Sequence, residues 1–516
     1  MKNSAHSNNY NLVGDTQMKK IISALIILSV ILTMFACSDN SSGGDANVTM
    51  ADAVTSSGDE TVAENSETLR SQVKSTLPDN LDFDGTVIRL LSRDDGTSLG
   101  MEITAEENTG DVVIDAIYDR KLKVEELLNV VIEPLYVNQD IHGGDQINGK
   151  IRKAVLAGAD DYDIAANHMS QYTPLIMEGC FLNLNNLAYL DFDQPWWSRS
   201  FKEQITVNDK LYFAVGDIAL TMIKAMYTQF INLDMFESLF PNENIYDVIF
   251  SGEWTIDKMI NYCKTAYLDI NGNSEIDKAD QFGYIVNSGG HHTDAWMGAT
   301  NVQIIDSSGS TPEFVLDQPR TYEFVDSYRR LLLSDNCSFL TTDSDSTYYI
   351  PFKEGRALFT SMMLSNVENL RDMEDDYGML PIPKLNDAQT EYTGWTHNGF
   401  SAFAIIQTCQ VSDAAAALLE AMCVESYRNV TEAFFDVALK LKYARDDSSS
   451  QMLDIIRNAI VFDFGMVYSQ SLESVMQMFR DAGKIAEFNT ASKIATKLGV
   501  SQAKLDTLLE KYAELE

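Results

Sequence analysis

From Thr86 onward, short apolar runs alternate with longer stretches in which apolar residues return every three or four positions, the two periods of strand and helix. Thr86-Val87-Ile88-Arg89-Leu90-Leu91 reads as a first strand. Val112 to Leu128, with apolar residues at Ile114, Ile117, Tyr118, Leu122 and Leu128, reads as an amphipathic helix, and Val130-Val131-Ile132 as the strand that follows it. Asp163-Ile164-Ala165-Ala166 and Leu211-Tyr212-Phe213-Ala214-Val215 continue the strand series, with helical stretches between them. This alternation predicts an α/β architecture.

Upstream the pattern changes twice. Met18-Lys19-Lys20 precedes a mostly apolar run that ends at Ala36-Cys37. Two cations, an apolar run too short to span a bilayer and a small residue at the end describe a secretory signal, with Met18 as the translation start and 1–36 removed. The segment 37–79 is then rich in serine, glycine, aspartate and glutamate, with few large apolar residues to offset the entropy of ordering it, and reads as a disordered tether. As a flexible coil it reaches on the order of 35 Å.

Composition narrows the classes. The 516 residues suit two or three domains, and 45% apolar with 10% aromatic residues is enough for folded cores. A formal charge of −38 argues against nucleic acid as a partner and favours a soluble monomer. With Cys37 set aside, Cys180, Cys263, Cys337, Cys409 and Cys423 show no regular spacing, so neither a disulfide framework nor a zinc site is indicated.

Several phrases carry a resemblance. The end of the signal resembles the lipobox of bacterial lipoproteins, which implies lipidation at Cys37. Asp161-Tyr162-Asp163-Ile164, Pro195-Trp196-Trp197, Lys210-Leu211-Tyr212-Phe213-Ala214-Val215-Gly216-Asp217, Phe352-Lys353-Glu354-Gly355-Arg356-Ala357-Leu358-Phe359 and Tyr377-Gly378-Met379-Leu380-Pro381-Ile382-Pro383-Lys384, in that order, resemble the extracellular solute-binding proteins (family 1 type) of ABC importers, in particular their sugar-binding lipoproteins. The resemblance implies an α/β, two-lobed periplasmic-binding-protein-like fold of type II, its lobes hinged around a ligand cleft. It implies a carbohydrate ligand, ABC permease subunits as partners, a lipid anchor in the membrane, an extracytoplasmic location, no catalysis and no required cofactor. Crossings are expected near 211–217, 356–360 and 399–405, which divides the chain into one lobe of 80–214 with 358–400 and another of 215–357 with 401–516.

A sugar offers hydroxyls to planar polar groups and C–H faces to aromatic rings. Of the five tryptophans, Trp254 precedes a plausible N-cap at Thr255 and is expected to be structural. Trp196 and Trp197 are adjacent, so in an extended segment one of them is expected to face away from the core. Trp296, and Trp395 with His397 and Asn398, lie in polar, glycine-rich stretches expected to be loops. Asp217 ends a hinge-like strand, with a helix N-cap as its alternative, and Arg93, Asp94 and His168 follow strands whose carboxyl ends would border a cleft. His291 and His292 beside Asp294 lack metal-ligand spacing and read as loop polarity.

Asp269, Asn271, Asn273, Glu275 and Asp280 are spaced as in a calcium loop, although Ser274 stands where such loops turn on glycine; the alternative is a polar turn capped by its own side chains. A secreted glycoside hydrolase remains open on sequence alone because 76 acidic residues can always supply a carboxylate pair, as does a peptide-binding or signalling lipoprotein.

Overall fold

The computed structural model describes residues 70–94, 102–138, 146–309, 311–333, 338–435 and 447–515. The expected signal and lipidation site, including Met18 and Cys37, lie outside them. β1 (Thr86–Asp94) and β2 (Val130–Asn138) pair in parallel, and β3 (Ile164–His168) joins the other side of β1. Helix Val112–Leu128, between β1 and β2, has the ends its sequence suggests. Asp111 accepts hydrogen bonds from the N–H groups of Val113 and Ile114, and Asn129 leaves the helix in the left-handed region at φ 48°.

The chain then builds β4 (Tyr227–Asn232), β5 (Phe282–Asn287), a small hairpin of β6 (Ile305–Asp306) with β7 (Glu313–Phe314), β8 (Ser338–Thr341), β9 (Ala357–Met363), β10 (Tyr377–Leu380) and β11 (Ser401–Ile405). Two main sheets result, ordered β11-β3-β1-β2 and β10-β4-β9-β5-β8. Their central strands are buried on both faces, polar residues such as Asn167, Gln229 and Ser361 included, so they show no alternation of buried and exposed positions. Helix Ile256–Ala266, with Thr255 as its N-cap, seats closely on β5: a Cβ at Gly283 would stand 2.3 Å from Cys263 Cα.

Sheet membership corrects the expected division of the chain. β9 and β10 belong to the second sheet and β11 to the first, so 358–400 does not join the first lobe as a block and 401–405 does not join the second. The expected crossing at 356–360 is β9 itself, held between β4 and β5. The chain leaves the first sheet after Ala214, which bridges Phe403, and enters the second at Tyr227; it returns through 394–400, where Thr396 bridges Met226. Helix Asp447–Asn458 packs on β10, and the segment after it pairs Ile460 with Gly394. These three adjacent segments form the hinge. Leu211–Val215, expected as a strand, contributes only the Ala214 bridge.

The expected tether ends earlier than 79. Leu77 is buried, the Thr76 hydroxyl donates to Glu420, Arg428 donates to the Val73 carbonyl, and the Arg70 guanidinium lies 4.7 Å from the Tyr427 ring centre. Among the described residues, no helix is long and apolar enough to cross a membrane.

Candidate functional site

Residues at the carboxyl ends of β1 and β3 in one lobe and just after β5 in the other meet at the middle hinge segment, the position at which open α/β sheets bind ligands. Arg93 and His168 are both buried and both donate to the carbonyl of Gly399, at 2.9 and 2.7 Å. The Gly399 N–H in turn donates to His397 Nδ1 at 3.0 Å. Position 399 has room for nothing larger than glycine, since a Cβ would lie 2.9 Å from His397 Nδ1 and 3.1 Å from His168 Nδ1. The His397 ring packs on His291 of the second lobe with centres 3.9 Å apart. His291 lies 3.7 Å from Asp294, which Arg480 holds through two N–H donors at 2.9 and 2.5 Å.

Polar side chains therefore adjoin one another from β1 to Arg480 across the hinge, hydrogen-bonded as far as His397 and linked through the packed His291 ring beyond it. Burial lowers the His397 pKa well below that of free imidazole, and His291, His168, Arg480 and Arg93 push it further the same way. His292, turned inward against Tyr227 and Tyr348, is lowered by burial to about 3. Burial alone would raise the Asp294 carboxyl, but nearby His291 and the hydrogen bonds from Arg480 bring it below its ordinary value. Behind Arg93, buried Glu102 accepts from the N–H and hydroxyl of Thr221; burial raises its pKa while Arg93 opposes the rise. Asp294, Trp395, Asn398, Gln477 and Arg480 border a cavity of about 140 Å³, and Asn398 Oδ1 is enclosed without a hydrogen-bond partner among the described residues.

This arrangement offers hydrogen bonds from two lobes to one ligand. Its imidazoles, guanidiniums and amide are planar hydrogen-bonding groups contributed by both lobes, so a ligand that touched all of them would hold the lobes together.

No protein-family model matches the chain, and no curated protein matches it by sequence. Solved structures do. The galacto-N-biose-/lacto-N-biose I-binding protein of the ABC transporter from Bifidobacterium longum, in complex with lacto-N-biose, superposes with a TM-score of 0.56 at 13% identity, covering 82% of this chain and 98% of that one. M. tuberculosis UspC gives 0.53 at 12% identity over 81% and 100%. A cyclo/maltodextrin-binding protein complexed with maltotetraose gives 0.51 at 12% identity over 83% and 97%. The chain has the two-lobed fold of these structures.

On that fold the expected site residues separate into two groups. Arg93, His168, His397 and Asn398 come together at the hinge, with Trp395 beside them, while Asp94 is exposed at the end of β1. Trp395 and Trp296 are fully buried rather than offered on loops. The stretch around Trp296 is the helix Gly290–Ala299, and its indole packs against Tyr284 and Tyr328. Trp196 and Trp197 are both buried as well. Pro195 and Trp196 turn instead of extending, so both indoles reach one carboxylate, Trp196 Nε1 on Glu420 Oε1 at 2.9 Å and Trp197 Nε1 on Oε2 at 2.8 Å. They line a second cavity together with Asp217, which caps no helix; Ala219 precedes the helix Leu220–Lys224. Trp254 is buried, donating to the Pro381 carbonyl.

His291, Asp294 and Arg480 complete the first group. The two residues near 291 were legible as polar but not as partners of Arg480, which lies far along the chain with no motif around it. In the 269–280 loop, Asp269 accepts from the N–H groups of Gly272 and Ser274, and Asp280 is turned inward to those of Ile270 and Asp277. Asn271 and Asn273 donate to Asp277, and Ser274 takes the left-handed φ of 63°. Among the described residues, no group of three or more His, Cys, Asp or Glu is arranged to hold a metal ion.

Proposed function

We propose that this chain is the substrate-binding lipoprotein of an ABC importer, capturing a mono- or oligosaccharide between its lobes and delivering it to a membrane permease. One observation carries the reading: a cluster of planar hydrogen-bonding side chains from both lobes meets at the hinge, beside a cavity bordered by Asn398, whose enclosed Oδ1 has no hydrogen-bond partner among the described residues. Sugar hydroxyls are the complement of such a set, because each can donate and accept at once. The folds it shares include proteins solved with lacto-N-biose and maltotetraose, which supports a saccharide. The sequence of 18–37 supports export and anchoring through a lipid on Cys37, with the folded lobes outside the cytoplasm. Transfer of an intact ligand asks for grip and release, which hinge closure supplies.

A thermal-shift screen of the mature chain against sugars, peptides and polyamines tests this. A fitting saccharide present at about 100 times its Kd adds roughly 2.7 kcal/mol to the folded state and raises the melting temperature with concentration. Shifts produced by peptides or polyamines alone, or cleavage of a glycoside by the purified protein, would reject it.

A further inference from the structure

We propose that a second cavity at the hinge, lined by none of the residues around the first, is a further binding site, for a small polyhydroxylated molecule. Gly394 and Ile460 pair across two hinge segments. Ile460 lines a cavity of about 400 Å³; Trp395 lines the smaller one beside Arg480. The two cavities share no residue. The larger has the size of a small-molecule pocket.

Its walls come from both lobes. Trp196 and Trp197 are fixed to the first lobe through Glu420 of the helix Ser412–Glu425, and Asn458 ends the helix that packs on β10 of the second. Asp217 and Arg70 line it, and each also keeps one enclosed polar atom, Oδ2 and Nη1, without a hydrogen-bond partner among the described residues. Buried polar atoms are normally paired, so two of opposite kind in one cavity describe a ligand with both donors and acceptors. A pair of neighbouring hydroxyls meets both, one donating to Asp217 and one accepting from Arg70. The Trp197 indole in the same wall suits the C–H face of a sugar ring, and Tyr427 carries Arg70 on its ring. Burial also pushes the Asp217 carboxyl up to about 7, with Arg70 opposing, so near neutrality it can serve as donor or acceptor. Neutral sugars and sugar acids share the hydroxyl chemistry.

Calorimetric titration of the mature chain with lactose, maltose and digalacturonate, followed in parallel by tryptophan emission, tests the proposal. Two sites per chain are expected for at least one of these probes. Asp217→Asn should weaken one site at least tenfold, and Asn458→Trp, a substitution at an exposed rim position, should abolish that same site. The other site should respond to Arg480→Met and to neither of these. Equal loss for neutral and acidic probes assigns recognition to the hydroxyls, and a tighter digalacturonate site places its carboxylate on Arg70; both support the site. A single site per chain for every probe, whether or not the two substitutions affect it, overturns it.

Discussion

Replacing Glu420 by glutamine tests how the tryptophan pair is held. Each carboxylate oxygen receives two donors: Oε1 takes the Trp196 indole N–H and the Thr76 hydroxyl, both at 2.9 Å, and Oε2 takes the Trp197 indole N–H at 2.8 Å and the Asp191 N–H at 3.3 Å. Glutamine keeps the shape but turns an NH₂ toward two of these four donors. Two hydrogen bonds are lost: the indole left unmatched is buried, at about 1–3 kcal/mol, whereas its companion donor, the exposed Thr76 hydroxyl or the half-buried Asp191 N–H, can turn to water. Part of that cost is offset, because burial raises the Glu420 pKa and the neutral amide avoids burying a charge. The net expectation for Glu420→Gln is a loss of about 1–2 kcal/mol. Urea unfolding followed by tryptophan emission measures it, and the two affected indoles should also shift the native spectrum. A variant within about 0.5 kcal/mol of the parent, with unchanged emission, would refute the reasoning.

Other expectations concern titration and packing. The Asp217 carboxyl sits at about 7 in the folded chain against an ordinary 3.8, so its contribution to stability is present at low pH and lost as pH rises through that window; Asp217→Asn should therefore be the more stable protein above pH 7, by about 2–4 kcal/mol at most, and equal to the parent near pH 4 in thermal melts. His292 has the reverse sign: with its folded value at about 3 against 6.5, stability is lost as pH falls below 6.5, by about 2 kcal/mol between pH 6.5 and 5, and His292→Gln should flatten that part of the melting-temperature profile. Gly283→Ala should cost more than about 3 kcal/mol, seen as loss of soluble protein, because the new Cβ meets Cys263 backbone that cannot move aside. Gly499→Ala, in open space within helix Thr490–Glu514, should instead gain about 0.5–1 kcal/mol in urea unfolding.

Local structure was legible in the sequence where its cause is local. Helix Val112–Leu128 begins and ends where Asp111 and Asn129 dictate, and Thr255 caps its helix through its own hydroxyl. Partner choice was not legible. β9 is antiparallel to β4 and parallel to β5, and nothing in Ala357–Met363 distinguishes those neighbours from strands of the first sheet. The same limit applies to the site. Arg93 and His168 could be placed from strand ends, whereas Arg480 and Asp294 meet across 186 positions of chain. The alternation applied to Trp196 and Trp197 presumed an extended backbone, and the turn through Pro195 and Trp196 brings both indoles to Glu420. The tether boundary was missed because Leu77 and Arg70 find their partners, the core and Tyr427, far away in sequence.

The central claim is that two lobes grip a saccharide through the Arg93–Arg480 polar chain and release it unaltered. Its most direct test is calorimetric titration of the best-binding sugar into the parent and into Arg480→Met, with the ligand recovered afterwards and weighed by mass spectrometry. The expected result is saturable binding by the parent, at least tenfold weaker in the variant because Asp294 loses its cation, and recovery of the sugar at its original mass. Binding unchanged in the variant, or a recovered sugar that has been hydrolysed, contradicts it.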